Sequence, residues 1–245
     1  VDWIKSYGRL NPEKPALIVA HQFPDVDAIG STLALYIQLK QRHIPVKIWI
    51  QDYNVNDFKF LPCCSEILTE YPKDYAYSTL FVLDCSNIQR VKNHTLLKTD
   101  DTVTVVNIDH HVDNSKFGTL NFVKEISSVG EYLTTIFKDL NWDISEEVAT
   151  CLYAAIAFDT GRFLYSNATS HTFSIISHLL DCGARSFDTN IAMYEDVSLN
   201  TFNYIKIGLE NLTINEELGY CYTFLPKDSP KVNYKMIDFI RQLGK

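Results

Sequence analysis

The sequence predicts an α/β fold, in which a parallel sheet with helices on both faces is followed by part of a smaller second α/β domain. Three observations predict it. Residues 16–20 (ALIVA), 79–83 (TLFVL) and 102–108 (TVTVVNI) are nearly continuous in apolar or β-branched side chains, as strands buried on two sides are. Helical patterns space these runs, as connections between parallel strands require. Each run also stops at residues able to bind a metal: His21, Asp84, and the triplet Asp109-His110-His111. Parallel strands bring such ends to one edge, where open α/β sheets hold ligands.

The chain is organised around residues 20–31, AHQFPDVDAIGS. Pro24 stiffens the connection and disfavours helix at Phe23, so the loop stays open beyond the first strand. Taken alone, this stretch reads equally as a helix cap with a solvated polar turn. A helix follows over 28–41, with Ile29, Leu33, Tyr36 and Ile37 on one face and Leu35 and Leu39 widening the stripe. Gly30 and Ser31 in its first turn let another group approach the backbone closely. The run 46–50 alternates as a second strand, and 51–78 reads as a loop with one short helix near 57–70. After the strands at 79–83 and 102–108, helices are expected from Ser127, with Tyr132, Leu133, Ile136 and Phe137 inward, and over 145–158, capped by Ser145. The latter delivers Asp159-Thr160-Gly161-Arg162-Phe163. A further helix covers 169–182, closed by Gly183. The expected domains are 1–190, a linker helix region at 191–211, and 212–245 as the start of a truncated second domain. That last part offers one strand at 218–225 and one helical stripe at 236–243, too little for an independent core.

With 46% hydrophobic and 21% charged residues, the 245-residue chain is expected to be globular. A formal charge of −8 with no Lys/Arg block argues against capture of long duplex nucleic acid. A nucleotide substrate stays open, because bound cations reverse the field of an acidic pocket. No apolar run is long enough to cross a bilayer and no signal-peptide pattern opens the chain, so no membrane partner is expected. It begins at Val1 rather than Met, which suggests a trimmed N-terminus. Six cysteines without a CxxC pair suit reduced thiols of a cytoplasmic protein.

The polar residues at the expected strand and helix ends are His21, Asp25, Asp27, Asp84, His110 and Asp159. Four carboxylates at one buried edge repel one another, and divalent cations remove that repulsion. Mixed nitrogen and oxygen ligands without thiolate favour Mn²⁺, with Mg²⁺ or Co²⁺ as alternatives. Six ligands with one shared suit a pair of ions about 3.5–4 Å apart, a geometry that clamps phosphoryl oxygens during in-line displacement.

In order and spacing, HQFPDVDAIGS, VLDCSNIQR, VNIDHH and AFDTGRF resemble the four motifs of the DHH phosphoesterases. ISSVGEYL and YSNATSHTF resemble that family's oligoribonuclease branch, the nanoRNase and 3′-phosphoadenosine-5′-phosphate phosphatase group. The resemblance is dense over 16–185 and weak beyond. It implies one ion on His21 and Asp25, the other on Asp27, His110 and Asp159, and Asp84 on both. It implies a bridging water, deprotonated by the two ions, that attacks phosphorus. It also implies His111 at the scissile phosphate and Asp109 orienting a neighbouring histidine, both counted here as catalytic. Arg90 and Arg162 match basic positions suited to phosphate, and Asn167 and Ser128 are assigned to the same pocket. His43, His94, His171 and His178 are assigned to surface or packing.

Two departures stand out. Val26 occupies a position where the family often has glycine, which stiffens the loop. The glycine-rich segment with a substrate-gripping histidine that normally ends the family's second domain is missing, so either the chain is cut or this member lacks that grip. The expected activity is Mn²⁺-dependent hydrolysis of short oligoribonucleotides and 3′-phosphoadenosine-5′-phosphate. Cyclic-dinucleotide hydrolysis and a non-catalytic nucleotide-sensing module are the alternatives, and a homodimer is compatible with either.

Overall fold

The computed structural model describes residues 15–195 and 199–227. The chain divides into two units, Val1–Thr189 and Asn190–Lys245.

The first unit is built on a six-stranded sheet in which every pairing is parallel. Its strands are β1 (Ala16–Ala20), β2 (Val46–Trp49), β3 (Ile67–Leu68), β4 (Thr79–Leu83), β5 (Thr104–Asp109) and β6 (Leu120–Val123). They lie in the order β3-β2-β1-β4-β5-β6. β1 and β4 are buried at every position, as their unbroken apolar runs require. On one face Leu17, Val19, Leu80, Val82 and Val105 pack with Trp49, Tyr77, Val91 and Leu97. That face is closed by segments carrying the 3₁₀ turns Ile88–Arg90 and His94–Leu96. The α-helices are α1 (Val26–Gln41), α2 (Val129–Asp139), α3 (Glu146–Asp159) and α4 (Ser170–Asp181). α1 packs along α3 and touches β1 and β2, and α2 and α4 also lie against α3. A short helix, α5 (Ser186–Asn190), runs into a π-helical turn, Ile191–Glu195.

Local chemistry fixes the boundaries. Asp25 accepts a hydrogen bond from the Ala28 amide at 3.0 Å, so α1 starts at Val26 rather than at 28. The helix expected near 57–70 is absent. Pro62 and a left-handed Cys63 (φ 58°) interrupt it, leaving the 3₁₀ turns Val55–Asp57 and Cys64–Glu66 and the strand β3. β6 is a half-exposed strand at the sheet edge, too mixed in polarity to register as a buried run.

The second unit holds α6 (Leu199–Glu210) and an antiparallel pair, β7 (Thr213–Asn215) and β8 (Tyr220–Tyr222). The strand expected over 218–225 is shorter because β7 offers only three residues to pair with. The helical stripe expected at 236–243 lies outside the described residues. No helix among the described residues is long and apolar enough to cross a membrane. All six cysteines are free thiols.

Candidate metal centre

Between β1 and β4 the strand order changes direction, the place where α/β sheets open a crevice at their carboxyl ends. Ala20 pairs with Leu83, so the residues just beyond them, His21 and Asp84, face each other with Nε2 and Oδ2 3.4 Å apart. Asp84 is left-handed (φ 51°), a conformation that aspartate tolerates better than most residues. β5 ends at Asp109 and delivers His110 and His111, α1 brings Asp25 and Asp27 in its cap and first turn, and α3 ends on Asp159.

The six predicted ligands converge. His21, Asp25 and Asp84 offer ligand atoms within 4.8 Å of one another, and so do Asp27, His110 and Asp159. His110 joins the two groups: its Nε2 is 3.4 Å from Asp84 Oδ1, 3.3 Å from Asp159 Oδ2 and 3.9 Å from Asp27 Oδ2. Asp84, Asp109, His110 and His111 form a third, overlapping group.

Surrounding groups hold these side chains in place. Nδ1 of His21 lies 2.8 Å from the Gln22 carbonyl and Nδ1 of His110 lies 3.2 Å from the Ile126 carbonyl. In the neutral imidazole, donation there makes Nε2 the nitrogen without a proton, facing the carboxylates and available to a cation. Asp27 is fully buried and accepts from two amides at the start of α2, Val129 (2.8 Å) and Gly130 (2.9 Å). His111 Nδ1 is 2.8 Å from Asp109 Oδ1, while Asn114 donates to Asp109 Oδ2 at 2.6 Å. Asp109 therefore orients His111. Asn114 gave no signal in the sequence, where a single loop asparagine has nothing to distinguish it.

Without cations the charges are mismatched. Burial and the Asp84 charge push the Asp27 carboxyl up to about 7. Burial and the neighbouring Asp27, Asp25 and Asp84 charges push Asp159 well up, and burial with Asp84 raises Asp25. Asp84 is buried too, but the adjacent imidazoles of His110 and His21 win and hold it below the usual carboxylate range. His110 is held back by burial, yet the Asp84 carboxylate beside it and the Asp27 charge lift it to about 9. Oδ1 of Asp84, in a residue only 2% exposed, has no hydrogen-bond partner among the described residues. A buried acceptor without a partner costs free energy, and carboxylates crowded with imidazole nitrogens make a donor set that fits hard or borderline divalent cations.

The four residues assigned to substrate fare differently. Arg90 is half-buried, and its carbonyl accepts from the Gln22 amide at 2.7 Å, which ties its turn to the loop after His21. Arg162 is exposed, in a left-handed turn (φ 59°) three residues beyond Asp159. Asn167 spends its amide on the carbonyls of Asp159 (3.1 Å) and Ser127 (3.4 Å). Ser128 is fully buried, and its hydroxyl accepts from the Glu131 amide as the cap of α2. His171, assigned to surface or packing, is half-exposed and lies 2.6 Å from the buried Glu131 carboxylate.

Residues 15–156 match the sequence profile described as the DHH family, N-terminal domain. The chain belongs to the DHH family. It is 32% identical over 165 residues to a probable bifunctional oligoribonuclease and PAP phosphatase NrnA of Streptococcus mutans, covering 67% of this chain and 51% of that protein. It is 27% identical over 213 residues to the bifunctional oligoribonuclease and PAP phosphatase NrnA of Bacillus subtilis, covering 85% and 66%. The chain thus spans between half and two thirds of these relatives. Among solved structures, an exopolyphosphatase-related protein from Bacteroides fragilis superposes with a TM-score of 0.86 at 25% identity, over 93% of this chain and 69% of that one. This DHH chain also shares the fold of a Methanococcus jannaschii putative family II inorganic pyrophosphatase, at a TM-score of 0.51 and 19% identity, over 84% and 69%.

Proposed function

We propose that this DHH protein is a metal-dependent phosphoesterase that hydrolyses short oligoribonucleotides and 3′-phosphoadenosine-5′-phosphate with two divalent cations, Mn²⁺ by preference. The observation that carries the reading is the meeting of two candidate ligand groups, His21–Asp25–Asp84 and Asp27–His110–Asp159, where His110 Nε2 lies 3.4 Å from Asp84 Oδ1, a buried oxygen without a hydrogen-bond partner among the described residues. Relatives named for oligoribonuclease and PAP phosphatase activity support the substrate class. The six free thiols suit a reducing, cytoplasmic setting.

In this reading His21 and Asp25 hold one ion, Asp27, His110 and Asp159 hold the other, and Asp84 serves both. When bound, such a pair neutralises phosphoryl oxygens and supplies a nucleophile at neutral pH by lowering the pKa of water. The protein's own groups do the rest. By accepting from Nδ1, the Gln22 and Ile126 carbonyls present Nε2 of His21 and His110, the nitrogen without a proton in the neutral imidazole, to the carboxylates. Asp109 holds the proton of His111 on Nδ1. A protonated His111, raised by its bond to Asp109, donates from Nε2 to the leaving oxygen. Arg90 and Arg162 bind non-bridging phosphate oxygens through paired N–H donors.

The test is an assay of the full-length protein with Mn²⁺ against a dinucleotide RNA, 3′-phosphoadenosine-5′-phosphate, a cyclic dinucleotide and pyrophosphate. Wild type is expected to cleave the first two, and Asp84→Asn to lose turnover on both while remaining folded. Retained turnover in Asp84→Asn refutes the mechanism. Mn²⁺ binding with no cleavage of any substrate refutes the activity.

A further inference from the structure

Ser128 and Glu131 stand at the spacing of a capping box, in which the glutamate at the third helical position reaches back to the cap's own amide. Ser128 keeps its half of that pattern, accepting from the Glu131 amide at 3.1 Å. The Glu131 carboxylate turns elsewhere. Although its residue is only 1% exposed, it receives the Ser127 hydroxyl, the Thr172 hydroxyl at 3.0 Å and His171 Nδ1 at 2.6 Å. A carboxylate drawn off a local cap and buried among three donors is doing a tertiary task. Thr172 and His171 belong to the first turn of α4, so that task joins α4 to the segment just before α2.

That segment backs three of the six ligands. The Ile126 carbonyl faces His110 Nδ1, and the Val129 and Gly130 amides donate to both oxygens of Asp27. The Ser127 carbonyl accepts from Asn167, whose amide also reaches the Asp159 carbonyl. No such contact runs from this segment to His21, Asp25 or Asp84 among the described residues. The pinned segment therefore serves one ligand group and leaves the other alone. It also accounts for both stretches that the four motifs do not include, ISSVGEYL and YSNATSHTF, since Glu131 lies in the first and His171 in the second.

We propose that Glu131 and His171 are a positioning pair that sets the geometry of the Asp27–His110–Asp159 ion site through residues 126–130. The proposal rests on the two-ion reading above. Ligand orientation by surrounding groups is typically worth about 10–100-fold in metal affinity. The pair should therefore tune one ion and not its neighbour.

Mn²⁺ titration calorimetry of wild type, Glu131→Gln and His171→Asn decides it, together with amide hydrogen exchange of the metal-free proteins. The expected result is two Mn²⁺ events in wild type, one of them weakened by about 10–100-fold in both variants and the other unchanged. The Val129 and Gly130 amides should exchange faster in the variants, as their hold on Asp27 loosens. A merely structural clamp would lower melting temperature and leave the two affinities alike. Equal losses at both ions, or no loss at either in folded variants, overturns the proposal. His171→Asn alters a half-exposed residue and stays informative where the buried Glu131 variant fails to fold. If wild type takes up no Mn²⁺, the two-ion reading fails instead; unchanged amide exchange would then overturn the positioning pair as well, and faster exchange would support it.

Discussion

Gly30→Ala is the most demanding test of how the helices build the centre. Helix propensity alone favours the change by about 0.8–1 kcal/mol, because glycine is a poor helix residue. The structure opposes it. A Cβ at Gly30 would sit 2.6 Å from the Cys151 carbonyl oxygen and 3.2 Å from the Ala155 Cβ. The first of these is about 0.4 Å inside the 3.0 Å floor for such contacts, and it is against helix backbone, which yields only if α1 and α3 part. Overpacking of this kind costs about 1–3 kcal/mol, so the expected net destabilisation reaches about 2 kcal/mol. At about 2–4 °C per kcal/mol for a chain of this size, the melting temperature should fall by a few degrees. The separation of α1 and α3 also governs the centre, since Asp27 starts one helix and Asp159 ends the other. Thermal unfolding with chelator, followed by Mn²⁺ titration, reads both effects. A melting temperature equal to or above wild type, with Mn²⁺ affinity unchanged, would refute the close-packing argument.

Three other outcomes are expected. Asp109→Asn removes the charge that raises the His111 pKa, so kcat should drop by about 10²-fold, the low end for acid-base catalysis, and the alkaline limb of the pH–rate profile should move to lower pH; an unmoved limb would mean His111 is not the acid. Ser128→Ala should cost about 1 kcal/mol in chemical denaturation by loss of the α2 cap, with KM unchanged; a raised KM would return Ser128 to the pocket. Metal-free protein should lose stability as pH rises from about 4 to 9. Folded Asp27 keeps its proton up to about 7 where an unfolded aspartate releases it near 4, and His110 keeps its proton up to about 9 rather than about 6.5. The stability tied to His110 is complete below the unfolded value and gone above the folded one, while the Asp27 carboxylate becomes a growing penalty over its own window. Melting temperatures at pH 5, 7 and 9 in chelator test the slope, and a rise across that range would contradict it.

Several of the candidate ligands were legible because they stand where a strand or helix pattern visibly stops. His21 follows ALIVA, Asp84 follows TLFVL, and Asp159 ends a helical stripe. Asp109 shows the limit of that rule, since the strand runs through it and only His110 and His111 lie beyond. The interval 51–78 was less readable. Its helical spacing was real, but Pro62 and the left-handed Cys63 break it, and a two-residue strand leaves too few side chains for any period to show.

The sequence by itself determined the parallel α/β architecture and the set of groups at its edge, because buried strands need unbroken apolar runs and crossovers need amphipathic helices. It could not order the sheet, and that order is what sets β1 beside β4 and so brings His21 within 3.4 Å of Asp84. Nor could it distinguish Ser128, whose hydroxyl caps a helix, from a residue lining a pocket. Glu131 shows the same limit from the other side: its spacing predicts a local capping bond, and only the approach of α4 brings His171 and Thr172 near enough to take its carboxylate away. Local pattern follows from neighbours along the chain, whereas the job of a buried polar group follows from whatever the folded chain sets against it.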